Sequence, residues 1–325
     1  MESMSPNAPA VDAAALKAEF KKRRKPLSAR LWDHRYIYLL MFPGVVSVLL
    51  FHYVPLYGIQ LAFKEFNFSL GIWGSPWNGL ENFRRMFDNP MFMRALTNTL
   101  IISAGRLITG FPVPILLVLL INELRLKRFR KVAQTIMFIP HFISWVVVAG
   151  IIINIFNVST GLYGNLWRHF FDSTPRSILT DPSLFRGLLY GSGIWKSAGW
   201  GMVIYLAAIA GIDPGLYESA QLDGANRLQR ALYITIPMLS FAIALNLILS
   251  LGSVMDAGFE QIINLYSPQV FRTGDIIDTF VFRFGIVQGR FHIGAAVGLF
   301  KSLINCVLLI TANQVSKKLS GFSLF

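Results

Sequence analysis

Three cations stand inside long apolar stretches of this chain: Arg106, Lys196 and Lys301. An ionised side chain at the centre of a membrane helix costs about 2.5–3.5 kcal/mol on insertion scales, so it must face a polar cavity or meet a partner. It can also reach outward along its own aliphatic stem. For Lys196 and Lys301 two readings stand side by side, a cationic path through the bilayer and a packing contact with a neighbouring carbonyl. For Arg106 packing is the expectation. Trp195 and Trp200 flank Lys196, and His141, Asn154 and Asn246 fall in other apolar stretches. An indole face with amide hydrogen bonds suits sugar recognition, and the same residues serve equally well as plain helix packing.

No catalytic constellation accompanies them. The five histidines, His34, His52, His141, His169 and His292, are scattered, with no H-E-x-x-H and no paired cysteines for a metal. Cys306 is the single cysteine and lies in an apolar run, which excludes a disulfide framework. No G-x-x-x-x-G-K-[ST] occurs, so the chain has no phosphate-cradling loop of that kind. The sequence predicts no enzyme, no metal site and no cofactor on this chain.

One stretch is patterned differently. It runs from Asp213-Pro214-Gly215 through Glu218-Ser219-Ala220, Asp223-Gly224 and Arg227 to Ile234-Thr235-Ile236-Pro237. Asp213 reads as a helix N-cap with Pro214 at the first helical position. Gly224 supplies the positive φ that ends a helix. A second short helix should then lead to Pro237 at the start of the next apolar run. The prediction is a helix–turn–helix between two spans, too short for a domain and too patterned for a linker.

The elements that must position these residues follow from composition. The chain has 325 residues, 54% hydrophobic and only 14% charged, with a mean hydropathy of +0.52. Soluble domains hold nearer a quarter charged residues, so the balance argues for membrane residence. Six stretches reach the roughly 20 apolar residues a spanning helix needs, at about 36–56, 96–121, 132–156, 184–210, 231–254 and 293–312. The fold class is therefore all-α and polytopic. Pro43, Pro112, Pro114 and Pro237 are tolerated where neighbouring helices satisfy the freed carbonyls.

Basic residues set the orientation. Seventeen fall on one side, including Lys21-Lys22-Arg23-Arg24-Lys25, the run from Arg125 to Lys131, Arg227, Arg230, Lys317 and Lys318; ten fall in the opposite loops. The positive-inside rule puts both termini in the cytoplasm. The net charge of +13 is thus topological, and nucleic acid is not implied as a partner. Residues 1–35 read as a cytoplasmic tail held near anionic lipid headgroups, 36–315 as the transmembrane domain with a cytoplasmic loop at 213–230, and 316–325 as a second tail. The stretches 64–94, 157–183 and 256–292 read as outer loops.

The patterned stretch resembles the cytoplasmic EAA loop of binding-protein-dependent ABC importer permeases. Glu218-Ser219-Ala220 is followed after three residues by Gly224, and after nine more by Ile234-x-Ile236-Pro237. It departs at Ser219 for alanine and at Ile236 for leucine. The segments Pro55-Leu56-Tyr57-Gly58, Gly79-Leu80-Glu81-Asn82-Phe83, Pro140-His141-Phe142-Ile143-Ser144-Trp145 and Ala296-Val297-Gly298-Leu299-Phe300-Lys301 are similar to the subgroup that handles oligo- and polysaccharides, alginate importers above all.

The resemblance implies the type I ABC permease fold with six spans in a bacterial inner membrane. It assigns Glu218, Ser219, Ala220, Asp223, Gly224 and Pro237 to coupling with a separate ATPase, which would carry the ATP and magnesium. An ATPase dimer needs two docking loops and this chain has one, so a second homologous permease must complete the pore, and a periplasmic binding protein delivers the saccharide. Candidate path residues are His141, Asn154, Trp195, Lys196, Trp200, Asn246 and Lys301. A self-contained secondary transporter is the alternative, disfavoured because no pair of inverted repeats is evident.

Overall fold

In the computed structural model, residues 32–124 and 126–320 are described. Most of the predicted N-terminal tail, Arg125 and the last five residues lie outside them. The chain divides into two compact units, 1–58 and 59–325. The first unit holds most of α1 (Arg35–Phe63). Within α1 the turn Leu49–Tyr53 is a π-turn just ahead of Pro55. Proline donates no amide and its ring clashes with the carbonyl four residues back, so a locally widened turn before it relieves both problems.

The second unit carries the rest, and its helices follow from capped starts and apolar lengths. A short α2 (Glu81–Phe87) precedes α3 (Pro90–Asn122), which Asn89 caps by accepting the Met91 amide. Next come α4 (Lys127–Phe142) and α5 (Trp145–Phe156), then α6 (Leu162–Phe171) and α7 (Pro182–Ala210). The chain continues through α8 (Pro214–Leu222), α9 (Arg227–Gly252), α10 (Phe259–Leu265) and α11 (Ile277–Phe280). It ends with α12 (Phe291–Ser320). Among the described residues there is no strand, only an isolated bridge between Lys64 and Trp77. Five helices are long and apolar enough to cross a membrane, and the pair α4 and α5 makes a sixth if counted as one broken span.

Four features differ from the sequence reading. The third span, expected to run unbroken over 132–156, bends by 99° between α4 and α5. Ser144 is the cause in sequence: its hydroxyl caps α5 by accepting from Val147, so the helix restarts there. The fifth span, expected over 231–254, begins at Arg227, so the second short helix and the span are one continuous helix. Its π-turn Ala231–Thr235 absorbs Pro237 inside a continuous helix, as in α1. The last helix continues to Ser320, through the first half of the expected C-terminal tail.

The largest difference concerns 256–292, read as an outer loop. Ile262, Val270, Ile276, Ile277 and Phe280 are 0% exposed. One apolar cluster joins Ile102 of α3, Val148 of α5, Phe185 and Leu189 of α7 and Ile262 of α10. A second joins Met86, Phe92, Met255, Phe280 and Val297, and a third Val118, Met202, Tyr205 and Leu239. Polar bonds bolt the same stretch down. Asn98 of α3 donates to the Arg272 and Asp275 carbonyls at 3.2 and 3.0 Å, and the Ile277 amide donates to the Thr99 hydroxyl at 2.9 Å. Arg283 pairs with Asp275 at 2.6 Å. Its short, interrupted helices defeat a length criterion, yet they are core.

Candidate functional site

The break between α4 and α5 builds a cavity. Ending α4 at Phe142 leaves the His141 carbonyl without the amide that a continuing helix would supply, and Lys196 of α7 donates to it at 2.8 Å. Lys196 also lies over the Trp145 ring, 5.5 Å from its centroid. A cation so placed is held by a carbonyl and a π-face and meets no carboxylate. His141 in turn stacks on Trp200, with ring centroids 4.6 Å apart and planes 4° apart. α7 approaches α4 this closely because Gly199 has no side chain; a Cβ there would collide with the Met137 carbonyl.

These residues line a cavity of about 560 Å³ together with Arg106 of α3, Asn246 of α9 and the turn Asp256–Gly258. Asn246 donates to the hydroxyl of buried Tyr205 at 2.8 Å, which orients its amide. Arg106 bonds to the fully buried Gln261 of α10, whose own amide donates to the Leu189 carbonyl at 2.9 Å and the Ser192 hydroxyl at 2.7 Å. The wall therefore presents two cations, an imidazole–indole stack and an oriented carboxamide. Such a surface can stack on a ring and hold an anion.

Of the predicted path residues, His141, Lys196, Trp200 and Asn246 meet here. Three do not. Trp195 faces a different, mostly apolar hollow with Ile151 and Leu188. Asn154 donates back to the Gly150 carbonyl of its own helix. Lys301 lies behind the wall, 2.8 Å from both Asp256 and Asp278. The spans themselves hold almost no acid, but 256–292 brings two carboxylates to it. Arg106, expected to pack, bonds Gln261 and also lines the cavity; Gln261 itself was not singled out, because nothing local shows that α10 packs between α5 and α7.

The second region is the stretch 213–230. Asp213 accepts the Gly215 amide at 3.0 Å with Pro214 at the first helical position. α8 ends with Gly224 at φ +81°, its amide on the Gln221 carbonyl and the Ala225 amide on the Ala220 carbonyl. That pair of bonds is the Schellman ending. Asn226 and Gln229 then form a capping box that starts α9. Tyr217 turns inward and bonds Thr235 at 3.0 Å, while Glu218, Ser219, Asp223 and Gly224 stay exposed and Ala220 is half-buried. Glu123 at the end of α3 clamps Arg230 and Arg227 at 3.5 and 3.7 Å. Two leucines, Leu222 at 89% and Leu228 at 67%, are bared to the surroundings. Apolar side chains so exposed on a rigid, capped turn suit a protein partner.

The family model described as the binding-protein-dependent transport system inner membrane component matches residues 110–321. A relative from Bacillus subtilis (strain 168), the polygalacturonan/rhamnogalacturonan transport system permease protein YteP, is 42% identical over 318 residues, covering 98% of each chain. Protein LplB of the same organism is 39% identical over 297 residues, covering 91% of this chain and 93% of its own. Among solved structures, a chain of a bacterial ABC transporter involved in import of the acidic polysaccharide alginate superposes with a TM-score of 0.84 at 39% identity, covering 91% of this chain and all of its own. A chain of the bacterial alginate ABC transporter in complex with an alginate pentasaccharide-bound periplasmic protein gives the same TM-score at 38% identity, covering 92% of this chain and all of its own.

Proposed function

We infer the function from one fact: this chain belongs to the family of binding-protein-dependent transport system inner membrane components. It is a multi-pass inner-membrane permease of an ABC sugar importer, a transporter and not a catalyst. Its cavity is half of a path for an acidic oligo- or polysaccharide of the uronate class. The observation that carries this reading is the pair Arg106 and Lys196 in the cavity wall. Lys196 is 8% exposed and, among the described residues, pairs with no acid. Charges out of bulk water attract an anion far more strongly than surface charges do. Two relatives are named for polyanions, polygalacturonan and the acidic polysaccharide alginate, which supports the same class.

The exposed stretch 213–230 is the coupling surface for a separate ATPase dimer, which binds ATP and magnesium. Glu218, Ser219, Asp223 and Gly224 face that partner, with Leu222 and Leu228 as apolar contacts. Ala220 and Pro237 shape the helices behind them. A second, homologous permease supplies the other loop and the other half of the path. A periplasmic binding protein docks on the opposite face, membrane lipid surrounds the spans, and both termini are cytoplasmic.

The test is uptake by proteoliposomes holding the full complex, with an acidic and a neutral oligosaccharide of equal length. Lys196→Gln should lower acidic uptake about tenfold, the size of one desolvated charge contact, and neutral uptake less than twofold. Equal loss for both would overturn the acidic reading.

A further inference from the structure

Among the described residues that line the cavity, Asp256 is the only carboxylate. Its side chain is 62% exposed, so a polyanion entering the cavity meets it directly. It sits on a tight turn that fixes where it points: Ala257 has φ +34° and Gly258 φ +80°. Few non-glycine residues accept a positive φ. A Cβ at Gly258 would collide with the Arg106 guanidinium, so the turn is seated against that cation.

Behind the wall stands Lys301 of α12, its side chain 16% exposed. Its ammonium reaches one Asp256 oxygen at 2.8 Å and both Asp278 oxygens at 2.8 and 2.9 Å. Three donors on one ammonium match three acceptor oxygens on two carboxylates. Lys301 is not itself among the residues that line the cavity, yet it contacts the carboxylate that does.

We propose that Lys301 is a specificity-determining residue that acts through Asp256. By countering the charge of Asp256 from behind, with Asp278 sharing its ammonium, it keeps the wall net cationic through Arg106 and Lys196 and lets an anionic chain pass. This inference rests on the acidic reading above and adds a residue that touches no substrate.

The experiment uses the whole complex in proteoliposomes, with an oligogalacturonate and its methyl ester as probes of equal length. The free acid carries the charges and the ester does not. Lys301→Gln keeps a hydrogen-bonding group beside the carboxylates but removes the charge. Uptake of the free acid should fall about tenfold relative to the ester, the scale of one uncompensated charge at contact range. Adding Asp256→Asn to Lys301→Gln should restore the ratio to within about threefold of the unaltered protein, and Lys301→Arg should keep it. Asp256→Asn alone leaves the Lys301–Asp278 pair intact and should raise the ratio about threefold.

A double variant as poor as Lys301→Gln, or equal loss for acid and ester, would show that Lys301 only holds helices together and would overturn the proposal. Should Lys301→Gln not assemble, Asp256→Asn alone decides: a lowered acid-to-ester ratio overturns the role. An unaltered complex that takes up the ester but never the acid would overturn the acidic reading itself.

Discussion

The stretches 213–230 and 256–292 both join consecutive apolar spans, and they end up in opposite environments. In the first, the helices α8 and the opening turn of α9 bury no residue. In the second, Ile262, Ile276, Ile277 and Phe280 are wholly buried and Asn98, Thr99 and Arg186 of the spans hold its backbone. The difference teaches where shape comes from. The first stretch is fixed by contacts within a few residues: Asp213 to Gly215, Gly224 to Gln221 and Asn226 to Gln229. The second is fixed to α3 and α7 by bonds that cross 69 to 178 positions of sequence. A locally determined turn can stay exposed and meet a partner, whereas a segment held by distant partners must stay packed.

The largest effect that sharpens this contrast is on stability. Arg283→Met leaves Asp275, whose side chain is 4% exposed, without its cation. Removing one partner of a buried pair costs several kcal/mol. Because Thr279 still donates to Asp275, the loss should sit near the low end, about 3 kcal/mol. It should appear as a lower thermal midpoint of the detergent-solubilised protein; an unchanged midpoint would show that 256–292 is not core.

A second comparison is of sides. On a Cys306→Ser background, cysteines at Ser69 and Gln269, both exposed, should react with an impermeant thiol reagent added outside intact cells. A cysteine at exposed Asn226 should react at least tenfold more slowly. Outside labelling at Asn226 would break the proposed orientation. Gln269 is the better reporter in its stretch, because the neighbouring Ser267 hydroxyl is buried.

The smallest effect is local. Asn226→Ala removes one arm of the capping box, worth about 1 kcal/mol. Faster amide exchange at 226–230 with an unchanged overall midpoint is expected. A fall in the midpoint as large as that of Arg283→Met would erase the contrast between the two stretches.

The same contrast explains what was legible. Helix existence, the six apolar stretches and the whole geometry at Asp213, Pro214 and Gly224 followed from residue type and spacing. The break at Ser144 had a local signal, an N-cap residue four positions after Pro140, but length and hydropathy outweighed it. The continuous start of α9 was hidden because Pro237 reads as a beginning, while the π-turn before it lets the helix run through. Four of the predicted path residues meet in the cavity because α7 brings Lys196 and Trp200 against His141. For Lys301 the path and packing readings both stood open, and the contacts it makes are long-range: its carboxylates come from residues 23 and 45 positions earlier, on a stretch read as a loop.

The proposed role of the exposed turn at Gly224 is to transmit the cycle of a separate ATPase to this permease. Its most direct test is ATP hydrolysis by the reconstituted complex with Gly224→Val, measured with and without the saccharide-loaded binding protein. A β-branched residue cannot readily adopt φ +81°, so the turn between α8 and α9 must rearrange. Because the turn is exposed and open space surrounds its Cβ position, the permease should still fold and assemble in the membrane. Basal hydrolysis should persist and stimulation by the loaded binding protein should be lost. Full stimulation in Gly224→Val would contradict that role.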